Sequence, residues 1–137
     1  MKYFDFCKNV ALEKLDEYSG EEIYLCDLDY KLTEYENDNG SWYCSTYKAE
    51  RDIKEWFDDL GGFVDYYKSE YGDNPNLNVF ENPEGFHCLA VICGVADIVS
   101  QALCCEVEWN DLVELTPQKI NAIKKKISKV RNFSWLH

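Results

Sequence analysis

The stretch NPEGFHCLAVICGVADIVSQALC, residues 82–104, decides the fold. Asn82 followed by Pro83 marks a helix start. The Asn side chain accepts a bond from a free N–H of the first turn, and proline costs nothing at the first helical position. Beyond it, Phe86, Leu89, Ala90, Cys93, Ala96, Val99 and Leu103 cover one helical face, and Val91, Ile92, Val95 and Ile98 cover much of another. A helix that is apolar nearly all round is buried on several sides. This segment, about 83–104, is therefore expected to be the hub of the core. Gly94, Asp97, Ser100 and Gln101 interrupt it, so it falls short of the ~18 unbroken apolar residues of a membrane span.

The flanking sequence supplies partners for that hub. Residues 3–18 read as a helix, with Phe4, Cys7, Ala11, Leu15 and Tyr18 at spacings of three and four. Gly20 is expected to cap it. Residues 21–36 read as a second helix through Leu25, Leu28, Leu32 and Tyr35. The competing reading is a strand at 30–34, folded back on 42–44 through Asn39-Gly40. A third helix runs from Thr46 to about Leu60 on the stripe Ile53, Trp56, Phe57 and Leu60. Gly61-Gly62 is expected to break it, and a shorter helix follows at 63–71, with Phe63, Val64, Tyr67 and Tyr71 inward. Residues 106–114 connect the hub to the last helix, with a short extended piece at 112–115. Thr116-Pro117 repeats the cap-then-proline signal. The last helix, about 117–131, turns Ile120, Ile123, Ile127 and Val130 inward. The tail carrying Phe133, Trp135 and Leu136 should dock on the body or on a partner. The fold class expected is mainly α: one domain over 1–137, a compact bundle of five or six helices around the central apolar helix, with at most a minor two-stranded β element.

Charge is the second strong signal. The formal net charge is −12, and it is unevenly placed. Residues 1–114 hold all 26 acids and eight bases, a net −18, whereas residues 115–137 hold no acid and six bases, a net +6. Such a chain repels nucleic acid and anionic membrane, and it favours basic partners. Seven cysteines, an odd number, and an N-terminus that turns polar within ten residues give no secretory pattern. The expectation is a cytoplasmic protein with free thiols, most of them small core residues.

Catalytic patterns are missing. The chain has two histidines, His87 and His137. His87 lies beside Cys88 on a helix, where adjacent side chains diverge, so it is read as an ordinary, partly buried histidine. There is no Cys-x-x-Cys and no His-x-x-x-His, and Cys104-Cys105 should diverge on a helix, so no metal is expected. Asn37-Asp38-Asn39-Gly40 looks like part of a calcium loop, but position 46 is Thr where the closing Glu is needed. Gly61-Gly62 lacks the following Lys and Ser/Thr of a phosphate loop. Neither an enzyme nor a cofactor is expected.

What remains is an acidic face. Residues 13–38 hold ten acids and two bases, with tyrosines interleaved. The candidate binding residues are Asp16, Glu17, Glu21, Glu22, Asp27, Asp29, Glu34, Glu36 and Asp38, together with Asp58 and Asp59. Carboxylates at i and i+4 lie ~6 Å apart along a helix, while duplex DNA carries a charge every ~1.7 Å of axis. A mimic must therefore combine rows from two or three adjacent helices, here the first three.

The segment Gly40-Ser41-Trp42-Tyr43-Cys44-Ser45 leading into an Ala-Glu-containing helix, and Trp109-Asn110-Asp111 before Leu115-Thr116, resemble an uncharacterised family of small acidic proteins from Gram-positive bacteria and their phages. The resemblance carries no catalytic residues. It implies a mobile-element setting, in which small acidic proteins inhibit host defence nucleases.

Two functions follow as expectations. One is an anti-CRISPR or anti-restriction type inhibitor, whose acidic face occupies the basic channel of a nucleic-acid-binding protein or nuclease complex. It would make no direct contact with nucleic acid or membrane. The other is a small regulatory module acting through the basic last helix and the apolar tail, with a homodimer as one form of partner.

Overall fold

The structure, a computed structural model, describes residues 1–33 and 46–136, with the backbone alone at 46–48 and 76. The six helices among the described residues are α1 (Tyr3–Leu15), α2 (Leu28–Lys31), α3 (Thr46–Trp56), α4 (Leu60–Tyr71), α5 (Pro83–Leu103) and α6 (Pro117–Lys129). Two short strands, β1 (Glu22–Tyr24) and β2 (Leu112–Glu114), pair antiparallel. This is the mainly α bundle with a minor β element that the sequence implied.

The hub is α5. The Asn82 side chain accepts a bond from the Gly85 N–H at 3.1 Å, and Pro83 opens the helix. Phe86, Ala90, Val91, Val95, Ile98, Val99 and Leu103 are all buried. By length and composition α5 is long and apolar enough to cross a membrane, as a core helix also can be, and half of that stretch is buried inside the fold. Helices α1, α3 and α6 pack on it. From α1 come Tyr3, Cys7 and Leu15; from α3, Trp56; from α4, Phe63; from α6, Ile120, Ile123 and Ile127. The second cap works as the first does: Thr116 accepts from the Lys119 N–H at 3.1 Å, ahead of Pro117.

The residues that interrupt α5 have structural roles. Gly94 lets α1 and the tail approach. A Cβ there would stand 2.5 Å from Cys7 Sγ and 3.2 Å from the ring of Phe133. Asp97 accepts from the Ser134 N–H at 2.9 Å and also bonds the Ser134 hydroxyl. Gln101 donates to the Asn132 carbonyl at 3.0 Å. The tail is thus clasped to the body. Phe133 is buried, and Trp135 stacks between Phe133 and Tyr66 at 4.5 and 4.8 Å.

Several expectations are corrected. The helix expected over 21–36 is not formed. Gly20, at φ +86°, turns the chain, and its N–H bonds the Leu115 carbonyl at 2.8 Å. The chain then runs as β1, a 3-10 turn (Leu25–Asp27) and the four-residue α2. The reason is pairing. Ile23 and Leu25 alternate with Glu22 and Tyr24, and β2 supplies the ladder that fixes this period of two. The competing strand at 30–34 is not formed over its described part, because Tyr30 and Lys31 belong to α2; the turn at 37–40 and the extended piece at 41–45, with Asn39-Gly40 and residues 42–44, lie outside the described residues. The helix expected over 46–60 ends at Trp56. Gly61 and Gly62 do not break a helix; they sit in the first turn of α4. At Gly62 a Cβ would stand 2.8 Å from Leu136, so this glycine makes room for the tail. Phe57 and Tyr71, expected inward, are exposed. Cys7, Cys26, Cys93, Cys104 and Cys105 are free, but Cys88 is disulfide-bonded, against the expectation of free thiols throughout.

Candidate functional site

Among the described candidates, Glu22 lies on the β1–β2 ribbon and Glu21 and Asp27 lie in the turns beside it, not in rows along three helices. The register places Glu22 opposite Glu114, Ile23 opposite Val113 and Tyr24 opposite Leu112. Ile23 faces the core, so Glu22, Tyr24, Leu112 and Glu114 share the outward face. Directly opposed residues on one face have Cβ atoms ~5 Å apart. That is closer than the ~6 Å of a helical row. Glu21 and Asp27 extend the patch on the β1 side, and Asp111 extends it on the β2 side, where its carbonyl accepts from the Leu25 N–H at 3.1 Å. All three are exposed. Sequence reading missed Asp111 and Glu114, because only the pairing brings them beside Glu22. The extended piece expected at 112–115 was the available signal.

Two of the candidates are neutralised. Asp16 accepts from Lys124 at 2.8 and 2.9 Å, and Glu17 pairs with Lys14 at 2.6 Å. Among the described residues, Glu21, Glu22, Asp27, Asp111 and Glu114 have no cationic partner. Asp29 accepts from the Tyr30 N–H at 2.9 Å, and burial outweighs that bond and raises its pKa. Asp58 and Asp59 follow α3, whose last residue, Trp56, donates to the Met1 carbonyl at 2.8 Å. They lie near the start of α1, whereas the ribbon follows its end, and the 13 residues between span about 18 Å. The structure does not bring Asp58 and Asp59 to the ribbon. Glu34, Glu36 and Asp38 lie outside the described residues.

Aromatic and apolar groups stand among these charges. Tyr24 is 52% exposed, Leu112 51% and Tyr30 71%. The patch therefore offers, beside its charge, flat contact area of the aromatic kind that is enriched at interfaces.

His87 is fully buried rather than partly so. Its Nε2 lies 3.2 Å from Asp52 Oδ2, Trp56 stacks on the ring at 5.0 Å, and Phe6 meets it edge-on at 5.7 Å. Asp52 is itself buried and accepts from Arg51 at 3.1 Å. A cleft of about 520 Å³ opens beside Asp52, lined also by Phe6, Glu13, Arg51 and Glu55. The imidazole is not among the residues that line the cleft, and its contact with Asp52 ties α3 to α5.

The basic helix is largely engaged with the body. Lys119 pairs with Glu108 at 2.8 Å, Lys126 with Glu106, and Lys124 with Asp16. Cys104 and Cys105 do not diverge, because α5 ends at Leu103 and both fall in the turn after it, with their sulfurs 3.7 Å apart. Comparison of the chain with family models, characterised proteins and solved structures finds no match.

Proposed function

We propose that this protein acts without catalysis, as a cytoplasmic inhibitor that covers a basic nucleic-acid-binding surface on another protein. A phage or mobile-element factor against a host nuclease complex, of the anti-CRISPR or anti-restriction type, is the setting that its resemblance suggests. The observation that supports this most is the ribbon. Five exposed carboxylates lie on and beside it without cations, two of them directly opposed across the strands. Opposed like charges weaken a ladder. A patch that costs stability and stays unneutralised, on a protein that gathers six of its 14 bases at one end, fits a surface kept for a cationic partner.

The test is binding to, and inhibition of, a panel of host nuclease complexes, with nucleic acid as competitor. Binding should weaken steeply as salt rises from about 50 to about 500 mM, because many charge pairs form. Reversing Glu21, Glu22, Asp27 and Asp29 to Lys should abolish it. Salt-insensitive binding, or full inhibition by the reversed protein, would reject the proposal. The regulatory-module reading has less support, because Phe133 and Trp135 are packed into the body and three lysines of α6 are paired there.

A further inference from the structure

The +6 end of the chain leaves one place where cations outnumber acids around a reactive group. A cleft of about 600 Å³ is lined by Gln101, Cys105, Glu106, Lys126, Lys129 and Arg131, among others. Lys126 is paired with Glu106. Lys129 and Arg131 are exposed and have no ion pair among the described residues. The cationic character is felt nearby. Lys8 donates to the Ser128 and Val130 carbonyls at 2.8 Å, and its pKa is pushed down, by burial first and by the Arg131 guanidinium second. On a chain of net charge −12 this is a local positive field. Cys105 lines the same cleft, and a second exposed thiol, Cys104, has its sulfur 3.7 Å from that of Cys105.

A soft metal ion is the first ligand such a pair suggests, since two sulfurs ~2.3 Å from one tetrahedral ion stand at a similar separation. Among the described residues, however, no third His, Cys, Asp or Glu completes a ligand set. The surrounding cations also disfavour a metal cation. They favour an anion that can reach a thiol.

We propose that Cys105 takes up an anionic low-mass disulfide, one whose two halves carry carboxylates, as a mixed disulfide in this cleft, and that Cys104 then resolves it. Cys105 loses its proton to water and attacks one sulfur of the incoming disulfide. A protein–ligand S–S bond forms, the ligand's S–S bond breaks, and one half leaves as a thiolate that takes a proton from water. Lys129 and Arg131 hold the carboxylates of the half that stays. Cys104 is then deprotonated and attacks the Cys105 sulfur, so the second half leaves as a thiolate and is protonated in turn. The two protein thiols are oxidised by two electrons and lose two protons. The small disulfide is reduced and yields two thiols. Neighbouring Cα atoms are ~3.8 Å apart, below the 4.4 Å or more that disulfides favour. The vicinal disulfide is therefore strained and reopens readily, as labile regulatory bonds do. The hydrogen bond shared with Cys105 raises the pKa of Cys104.

The test uses the full-length protein with the Cys88 disulfide intact and Cys104 and Cys105 as free thiols, and three disulfides: oxidised glutathione (anionic), hydroxyethyl disulfide (neutral) and cystamine (cationic). Intact mass and peptide mapping give the rates and sites. Whole-protein charge alone would make cystamine fastest. The cleft predicts the reverse, with glutathione disulfide faster than cystamine by about fivefold at low salt, a value typical of two exposed ion pairs. C104S should accumulate one glutathionyl group on Cys105, whereas the native protein loses it and ends two hydrogens lighter. K129E/R131E, at exposed positions, should invert the order while leaving the circular dichroism unchanged. Cystamine as the faster reagent, an adduct confined to Cys26 or Cys93, or no adduct on C104S would overturn the proposal.

Discussion

The two ends of the charge distribution meet the body in opposite ways. Helix α6 and the tail are bound to it by apolar side chains and by ion pairs. Ile120, Ile123, Ile127 and Phe133 are buried, and Lys119, Lys124 and Lys126 each hold a carboxylate. The β1–β2 ribbon sends few side chains inward, chiefly Ile23, and turns its charges outward without partners. The basic end is thus built mainly for cohesion. The acidic end gives up cohesion for a charged, tyrosine-bearing surface. The positive charge that remains open at the basic end is confined to a small cleft, which suits a small anion better than a macromolecule.

The largest effect should come from breaking the cohesive end. Phe133 packs on Tyr3 at 4.6 Å and on Phe4 at 5.2 Å. Phe133→Ala should cost about 3–5 kcal/mol, the range for an aromatic removed from a core. Chemical denaturation followed by tryptophan fluorescence would measure it. A loss under about 1 kcal/mol would mean that the tail is not part of the core. Partner binding should survive in whatever fraction remains folded, because the ribbon is untouched.

A smaller loss, with a pH signature, is expected at Tyr3 beside it. The Tyr3 hydroxyl donates to the Ala90 carbonyl at 2.6 Å, and its pKa is raised, by burial above all. Tyr3→Phe should cost about 1 kcal/mol at neutral pH, the net worth of one buried hydrogen bond. The sign at high pH is fixed by linkage. A tyrosine whose folded pKa lies above its unfolded value of ~10 keeps its full contribution below that value and loses it as pH rises through the folded one. The native protein should therefore lose stability above pH ~10 faster than the phenylalanine variant. Parallel loss in both, followed by denaturant melts from neutral to strongly alkaline pH, would show that Tyr3 does not carry the effect. Cys7, Cys93 and Tyr66, also raised by burial, contribute to the decline they share.

The cohesive end was legible in the sequence and the ribbon was not, and the cause is range. Asn82-Pro83 and Thr116-Pro117 act on N–H groups three residues away, so local reading found both caps. The isoleucines of α6 and the apolar run of α5 carry their own period. Glu22, Ile23 and Tyr24 take theirs from residues 112–114, some ninety positions on. No helical stripe drawn over 21–36 could register that. The acidic candidates were found as a composition, and six of them are described at or beside the ribbon. Their geometry, and the addition of Asp111 and Glu114, needed the pairing. The sulfurs of Cys104 and Cys105 were misjudged for a related reason. Whether they diverge depends on α5 ending at Leu103, and no glycine or proline marks that end.

At the ribbon, stability and function should move in opposite directions. Glu114→Lys replaces an opposed pair of carboxylates with an ion pair to Glu22. Cross-strand pairs of this kind are worth about 0.2–1 kcal/mol, so the variant should be more stable by that amount. It should also bind a basic partner at least about tenfold more weakly, since a reversed charge faces the partner's cations. Thermal melts read the first effect and a titration at fixed salt reads the second. Greater stability with unchanged affinity would remove the ribbon from the proposed interface.

The smallest effect tests the seam between the two ends. Lys124 joins α6 to Asp16, and both side chains are partly or largely exposed, at 30% and 65%. Exposed pairs contribute little, so Lys124→Ala should cost no more than about 0.5 kcal/mol, and less at high salt. Its effect on binding should be opposite in sign to that of Glu114→Lys. Freeing Asp16 adds a carboxylate next to the patch that begins at Glu21, and a partner read by charge should bind slightly tighter at low salt and equally at high salt. A weaker complex would mean that the partner uses Lys124 itself, and the division between a cohesive basic end and an open acidic one would then have to be redrawn there.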